Sequence, residues 1–130
     1  MIGYFDGASR GNPGEAGAGA LLLDEGENTI WETARYLGKK TNNEAEYNAA
    51  ILLLTAAKER GVKELKVYGD SKLVVCQLSK QWKINLPHLR ELAKRAWDIS
   101  EGMTVRYEWV PRAKNKRADE LSNEAIDNAK

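Results

Sequence analysis

Cysteine and histidine are all but missing from this chain. Cys76 stands alone, so no internal disulfide can form, as expected for a protein of the reducing cytoplasm. It lies in an apolar helical stretch and reads as a buried, inert thiol. With His88 the only histidine, no His/Cys set has zinc-site spacing and no Ser-His-Asp constellation can be assembled. His88 follows Pro87 at a helix start and reads as a surface or capping residue. No apolar run is long enough to span a bilayer, and no basic leader with an apolar segment precedes the first strand. A charge of one sign is missing too. The 20 basic and 19 acidic residues leave a net +1, which by itself names no partner.

What the chain does have is length and apolar content enough for one domain with a real core, 130 residues of which 42% are apolar. Acids and bases are mixed through most of it, but RAKNKR (residues 112–117) is a local basic run, with Lys39-Lys40 and Lys80/Lys83 as smaller ones. Each is a solvated loop unless the fold gathers them on one side, where they would face a polyanion.

Residues 1–9 read as a strand and 17–26 as a second, turning at Asp24-Glu25-Gly26. In residues 28–38, Ile30, Glu32, Ala34 and Tyr36 alternate with Trp31, Thr33, Arg35 and Leu37, a third strand. The period then changes. TNNEAEYNAAILLLTAAKERG is helical, with a capping box from Thr41 to Glu44 and a stop at Gly61. After it come a strand in ELKVYGDS, a helix over SKLVVCQLSKQ and another over residues 86–101 with Pro87 in its first turn. A strand in MTVRYEWVP and a helix over NKRADELSNEAIDNA close the chain. This order predicts a single α/β domain over residues 1–130, a mixed sheet with helices on its faces.

Four acids sit awkwardly in that pattern. In YFDGASRGNPG, Asp6 shares a strand face with Ile2 and Tyr4. An exposed strand end, with Asp before Gly starting a turn, would account for it. Glu46 begins the stripe Ala49, Ala50, Leu53, Ala57, the helix face that should meet the sheet. A buried carboxylate there costs several kcal/mol unless paired or bound to metal, and a structural salt bridge would serve. Asp70 ends a strand where α/β sheets bind ligands, but an N-cap is the alternative unless Ser71 takes that role. Asp119 edges the stripe Ala118, Leu121, Ser122, Ala125, Ile126, where the helix dipole also favours an acid. Each has an ordinary explanation. Together they are the oxygen-donor set that two hard divalent cations, about 4 Å apart, require.

At these residues the chain resembles ribonuclease H of type 1. YFDGASRGNPGEAGAGALL is similar to that family's opening strand pair, TNNEAEYNAAILLL to its first helix, VYGDSKLVV to its fourth strand and following helix, and NKRADELSNEA to its last helix. The resemblance runs in order along essentially the whole chain. It implies a ribonuclease H-like fold, a five-stranded mixed sheet with strands 1–3 antiparallel and strands 4 and 5 parallel to strand 1. It implies an endonuclease that hydrolyses the RNA strand of RNA/DNA hybrids by a two-metal-ion mechanism, giving 5′-phosphate and 3′-hydroxyl ends. The family's metal-binding acids fall on Asp6, Glu46, Asp70 and Asp119, holding two Mg²⁺ for which Mn²⁺ substitutes. Asp6 would bridge both ions, Asp70 and Asp119 hold the one nearer the attacking water, and Glu46 the one nearer the leaving oxygen, also contacting the RNA 2′-hydroxyl. Asn12, Asn42 and Asn43 match minor-groove contacts, Thr41 a DNA-phosphate contact, and Trp82 an aromatic against the DNA strand.

Two departures stand out. SKQWKINLPHLREL passes between helices with little between them, so the basic handle of longer members is missing, and Lys80, Trp82 and Lys83 are its expected remnant. VPRAKNKRAD has no loop histidine; Arg112 and Lys114 are nearest, suited to phosphate charge but not to carrying protons near neutral pH. Some shortened members of that family also accept duplex RNA, so hybrid specificity need not be strict. The expectation is a monomeric, free-standing cytoplasmic enzyme with no membrane association. Three readings compete: a non-catalytic module, which should have lost at least one acid; a resolvase or transposase core, against which TNNEAEY and GNPG argue; and a retroelement-derived module of the same chemistry.

Overall fold

The computed structural model describes residues 1–129. Five strands form one sheet in the order β3-β2-β1-β4-β5: β1 (Ile2–Arg10), β2 (Gly14–Leu23), β3 (Thr29–Lys40), β4 (Glu64–Gly69) and β5 (Thr104–Trp109). β1 to β3 are antiparallel, and β4 and β5 run parallel to β1. The expected topology is therefore observed. Strand ends differ. β2 starts at Gly14 and β3 runs on to Lys40, because Arg10 pairs with Glu15 and Gly14 with Lys40 across the ladders. Ladder hydrogen bonds, not side-chain preference, carry these glycine-rich and charged ends.

Helices α1 (Asn42–Glu59), α2 (Lys72–Leu78) and α3 (Pro87–Ile99) pack together on one face, and α4 (Lys116–Asp127) covers β1 to β3 on the other. Thr41 caps α1 through the expected reciprocal bonds with Glu44. α2 is shorter than its apolar pattern suggests. The chain leaves the helix at Ser79, Lys80 takes φ of 64°, and the Gln81 and Trp82 N–H groups both return to the Cys76 carbonyl.

The main core lies between α1 and the sheet, where Phe5, Leu22, Tyr47, Leu53, Leu54 and Val67 are fully buried. Full burial of each such aliphatic or aromatic side chain is worth roughly 1.5–3 kcal/mol. Tyr47 keeps its hydroxyl satisfied by donating to Gln77 Oε1 at 2.6 Å. Beneath α4 a smaller cluster joins Leu21, Ala118 and Leu121 to Tyr4. A Cβ on Gly19 would strike the Ala118 and Ser122 backbone, so glycine there lets α4 settle directly on β2. No described helix is long and apolar enough to cross a membrane. Cys76 is free and buried, as its apolar setting predicts.

Candidate active site

The parallel pairing of β1 with β4 sets Phe5 beside Gly69, so the next residues, Asp6 and Asp70, emerge side by side. β4 ends there, while β1 continues through Asp6-Gly7 to Arg10. Asp6 therefore does not start a turn. It lines a cleft at the carboxyl ends of the parallel strands, the usual position for ligands in such sheets. Glu46 enters this cleft from the second turn of α1. Gly7 N–H donates to both acids, at 3.0 Å to Asp6 Oδ1 and 2.7 Å to Glu46 Oε1. Asp6, Glu46 and Asp70 present carboxylate oxygens all within 4.8 Å of one another.

Asp70 is not a helix cap. Ser71 caps α2, its hydroxyl accepting from Val74 N–H at 3.3 Å, which leaves the Asp70 carboxylate facing the cleft. Trp109 Nε1–H donates to the Asp70 carbonyl at 3.0 Å and ties the end of β5 to the same point. Asp119, on the first turn of α4, lines the same cleft of about 390 Å³ but stands outside the mutual set of three. Its Oδ1 accepts from Arg112 Nη2 at 3.2 Å and from Asn123 Nδ2 at 3.3 Å.

A larger hollow of about 570 Å³ lies between α2, α3 and β5, lined by Lys80, Trp97 and Tyr107 among others. Glu108 is its single acid. Size therefore does not single out the acid cleft; its clustered carboxylates do.

Asp6 and Glu46 are 4% and 7% exposed, and no ion pair reaches either among the described residues. Burial first, then the charge of Asp70, pushes the Asp6 carboxyl up to about 8. Burial, followed by the charges of Asp6 and Asp70, holds Glu46 well above the ordinary carboxylate range. A structural arginine partner for Glu46 is thus ruled out within the described chain. Two buried acids turned toward a third, none of the three in an ion pair among the described residues, suit a hard divalent metal ion taking oxygen ligands.

Asn115 escaped the sequence pattern. It is 1% exposed inside the basic run, and its Nδ2 donates to Phe5 carbonyl at 2.9 Å and to Asp70 Oδ2 at 3.1 Å. The signal was present: Asn115 heads the stripe of Ala118, Ser122 and Ile126 at i, i+3, i+7 and i+11. RAKNKR is accordingly not a free basic loop. Arg112–Lys114 form a 3₁₀ turn, Asn115 is buried, and Arg117 pairs with Glu32 at 2.6 Å and with Glu120 and Glu124. Only part of the run is left to face a polyanion.

Of the residues matched to substrate contacts, Asn42 and Arg112 line the cleft, while Asn12, Thr41 and Asn43 adjoin Asn42 by bond or in sequence. Asn42 N–H donates to Asn12 Oδ1 at 3.0 Å, and Asn42 Oδ1 accepts from Ser9 N–H at 2.9 Å. This stitches the β1–β2 turn to the start of α1. Asn43 is half-buried beside them, and Thr41 spends its hydroxyl on the cap. Trp82 lies 45% exposed in the short connection between α2 and α3. His88 is exposed on the first turn of α3 and lines no part of the cleft. Substituting His88→Ala should leave turnover within about twofold; a hundredfold loss in steady-state kinetics would place this helix start at the chemistry.

A sheet of this order, with one acid within its first strand and another just past its fourth, side by side where the two strands stop pairing, defines a ribonuclease H-like protein. The Reverse transcriptase-like family model matches residues 4–125, and the chain belongs to the ribonuclease H type 1 family. It is 45% identical to ribonuclease HI of Halobacterium salinarum over 130 residues, covering 97% of this chain and 64% of that protein. The crystal structure of the Halobacterium salinarum RNase H1 superposes with a TM-score of 0.94 at 44% identity, over 98% of this chain and 97% of that one. LC11-RNase H1, solved in complex with an RNA/DNA hybrid, gives 0.94 at 41% identity, over 98% of this chain and 97% of that one. A bifunctional protein of Mycobacterium tuberculosis is 45% identical over 126 residues, 95% of this chain but 35% of its own length. The chain thus spans between about a third and two thirds of these curated relatives.

Proposed function

We propose that residues 1–130 form one ribonuclease H type 1 domain that cuts the RNA strand of RNA/DNA hybrids, leaving 5′-phosphate and 3′-hydroxyl ends. The observation that carries this reading is the convergence of Asp6, Glu46 and Asp70 within 4.8 Å, with Asp119 on the same cleft. These four acids would hold two divalent cations, Mg²⁺ with Mn²⁺ as substitute. When bound, such a pair supplies an activated water and stabilises the leaving 3′-oxygen.

The chain's own groups do the rest. Gly7 N–H aims Glu46, whose carboxylate also accepts from the RNA 2′-hydroxyl, the group that separates RNA from DNA. Asn115 fixes the Asp70 carboxylate against β1 at Phe5, beside Asp6. Asn12, Asn42 and Asn43 read sugars and base edges in the minor groove, Thr41 and Arg112 take backbone phosphates, and Trp82 lies against the DNA strand. Phosphate contacts dominate affinity for such duplexes. With a short α2–α3 connection and Arg117 engaged by Glu32, this domain binds hybrid more weakly than members with a basic handle. The protein acts as a cytoplasmic monomer, and duplex RNA is the candidate additional substrate that the test below includes.

The test is end-labelled RNA/DNA, RNA/RNA and DNA/DNA duplexes incubated with Mg²⁺, Mn²⁺ or EDTA. Cleavage is expected of the RNA strand of the hybrid, with duplex RNA the additional candidate and DNA/DNA left intact, and none in EDTA, because the acids by themselves offer no nucleophile. Undiminished cleavage in EDTA would end the two-metal reading.

A further inference from the structure

Among the described residues, Arg10 and Arg112 line the acid cleft, and they are held differently. Arg10 is turned toward the far end of α4, with Nη1 at 2.6 Å from Asp127 Oδ1 and Nη2 at 3.2 Å from Asn123 Oδ1. Arg112 instead places Nη2 3.2 Å from Asp119 Oδ1. Its side chain is 77% exposed, so no packing fixes it there. Its charge is favoured first by Asp119 and, more weakly, by Asp6 and Asp70. Asp119, for its part, is the one acid of the cleft outside the mutual set of three.

We propose that Arg112 is a built-in counter-ion for Asp119, occupying that carboxylate until a divalent cation displaces it. The inference rests on the metal-binding reading of the four acids given above. Its chemistry is simple competition. One Asp119 oxygen cannot both accept from a guanidinium at full strength and ligate a cation, and the two positive charges repel across the same cleft. Displacement frees a planar fork of donors at the cleft's rim, where the phosphate of an RNA strand would lie. Arg112 therefore serves the acid before the metal arrives and the substrate afterwards. An exposed pair of this kind is weak, so a divalent ion can win the exchange.

The experiment is calorimetric titration of metal-stripped protein with Ca²⁺, a hard cation that takes the same oxygens. Wild type, R112A and R112K are compared, each also in a D119N background, with thermal melts in EDTA and in saturating Ca²⁺. Against wild type, R112A should bind Ca²⁺ about three- to tenfold more tightly, with R112K between the two, since lysine keeps the charge but not the fork. R112A should melt lower than wild type in EDTA, and the gap should close in Ca²⁺. In the D119N background the gain from R112A should vanish, because the pair is already broken. Unchanged or weaker Ca²⁺ binding by R112A overturns the proposal. So does the same gain with D119N, which would mean general charge repulsion. If wild type itself gives no Ca²⁺ binding, both this inference and the metal reading fail; binding by wild type with an indifferent R112A fails this one alone. Should R112A fold poorly, R112M keeps the aliphatic stem and carries the same expectations.

Discussion

Asp6→Asn is expected to keep the fold, to be at least as stable as wild type without metal, and to lose nearly all cleavage while still binding hybrid. The side chain is isosteric and keeps an oxygen to accept from Gly7 N–H, now at 3.0 Å. What disappears is a carboxyl whose ionisation is opposed by burial and by the neighbouring charge of Asp70. The sign with pH follows from the raised carboxyl. The unfolded chain releases the Asp6 proton near pH 4, whereas the folded chain holds it to about 8. Between those values the folded state binds more protons than the unfolded one, so metal-free wild type loses stability as pH rises. Asn has no proton to release. Its advantage in EDTA should be absent near pH 4 and grow toward pH 8, reaching some tenths to about 2 kcal/mol, the scale of a functional site that works against stability. An Asp locked in a buried salt bridge would behave oppositely, its loss stranding a cation at about 3–5 kcal/mol. Melts of both proteins in EDTA from pH 4 to 8, beside cleavage in Mg²⁺, separate the two. A destabilised but active Asp6→Asn would end this mechanism.

Much of this arrangement was written in periodicity. Asp6 broke the pattern of a strand and Glu46 that of a helix stripe, and both acids prove buried in one cleft. The rivalry between Asp70 and Ser71 for the α2 cap was visible in sequence, but only the Ser71 bond to Val74 N–H decides it. Other features depend on contacts between distant elements. Asn115 reads as part of a basic run because its neighbours are Lys and Arg, yet 110 residues of separation are bridged by its bond to Phe5. Arg117 is likewise drawn from that run to Glu32 on β3. Local composition carries no trace of either partner. The same holds for the ladder-extended ends of β2 and β3, where Gly14 is strand only because Lys40 lies across from it.

In sequence Gly7 falls within the strand of residues 1–9, with a turn begun by Asp6 before it as the alternative, and the structure gives it a further task. It lies within β1 and is not among the glycines with positive φ, so its backbone is open to any residue. Space is the constraint. A Cβ there would penetrate the backbone of Ala45 and Glu46 on α1 and come within 2.6 Å of the Ala45 carbonyl oxygen. Neither side yields easily, since β1 is hydrogen-bonded between β2 and β4 and α1 is packed on the main core. Gly7→Ala should therefore cost about 1–3 kcal/mol, the usual scale of overpacking. The larger effect falls on activity. Pushing α1 off the strand lengthens the 2.7 Å bond that aims Glu46, and a misplacement near 1 Å is worth roughly a hundredfold in rate. Loss of turnover out of proportion to loss of stability is the expected signature, read from kcat in Mg²⁺ and from melts in EDTA. If Gly7→Ala stays within twofold of wild type in both, the close approach of α1 to β1 is not what sets Glu46 in the cleft.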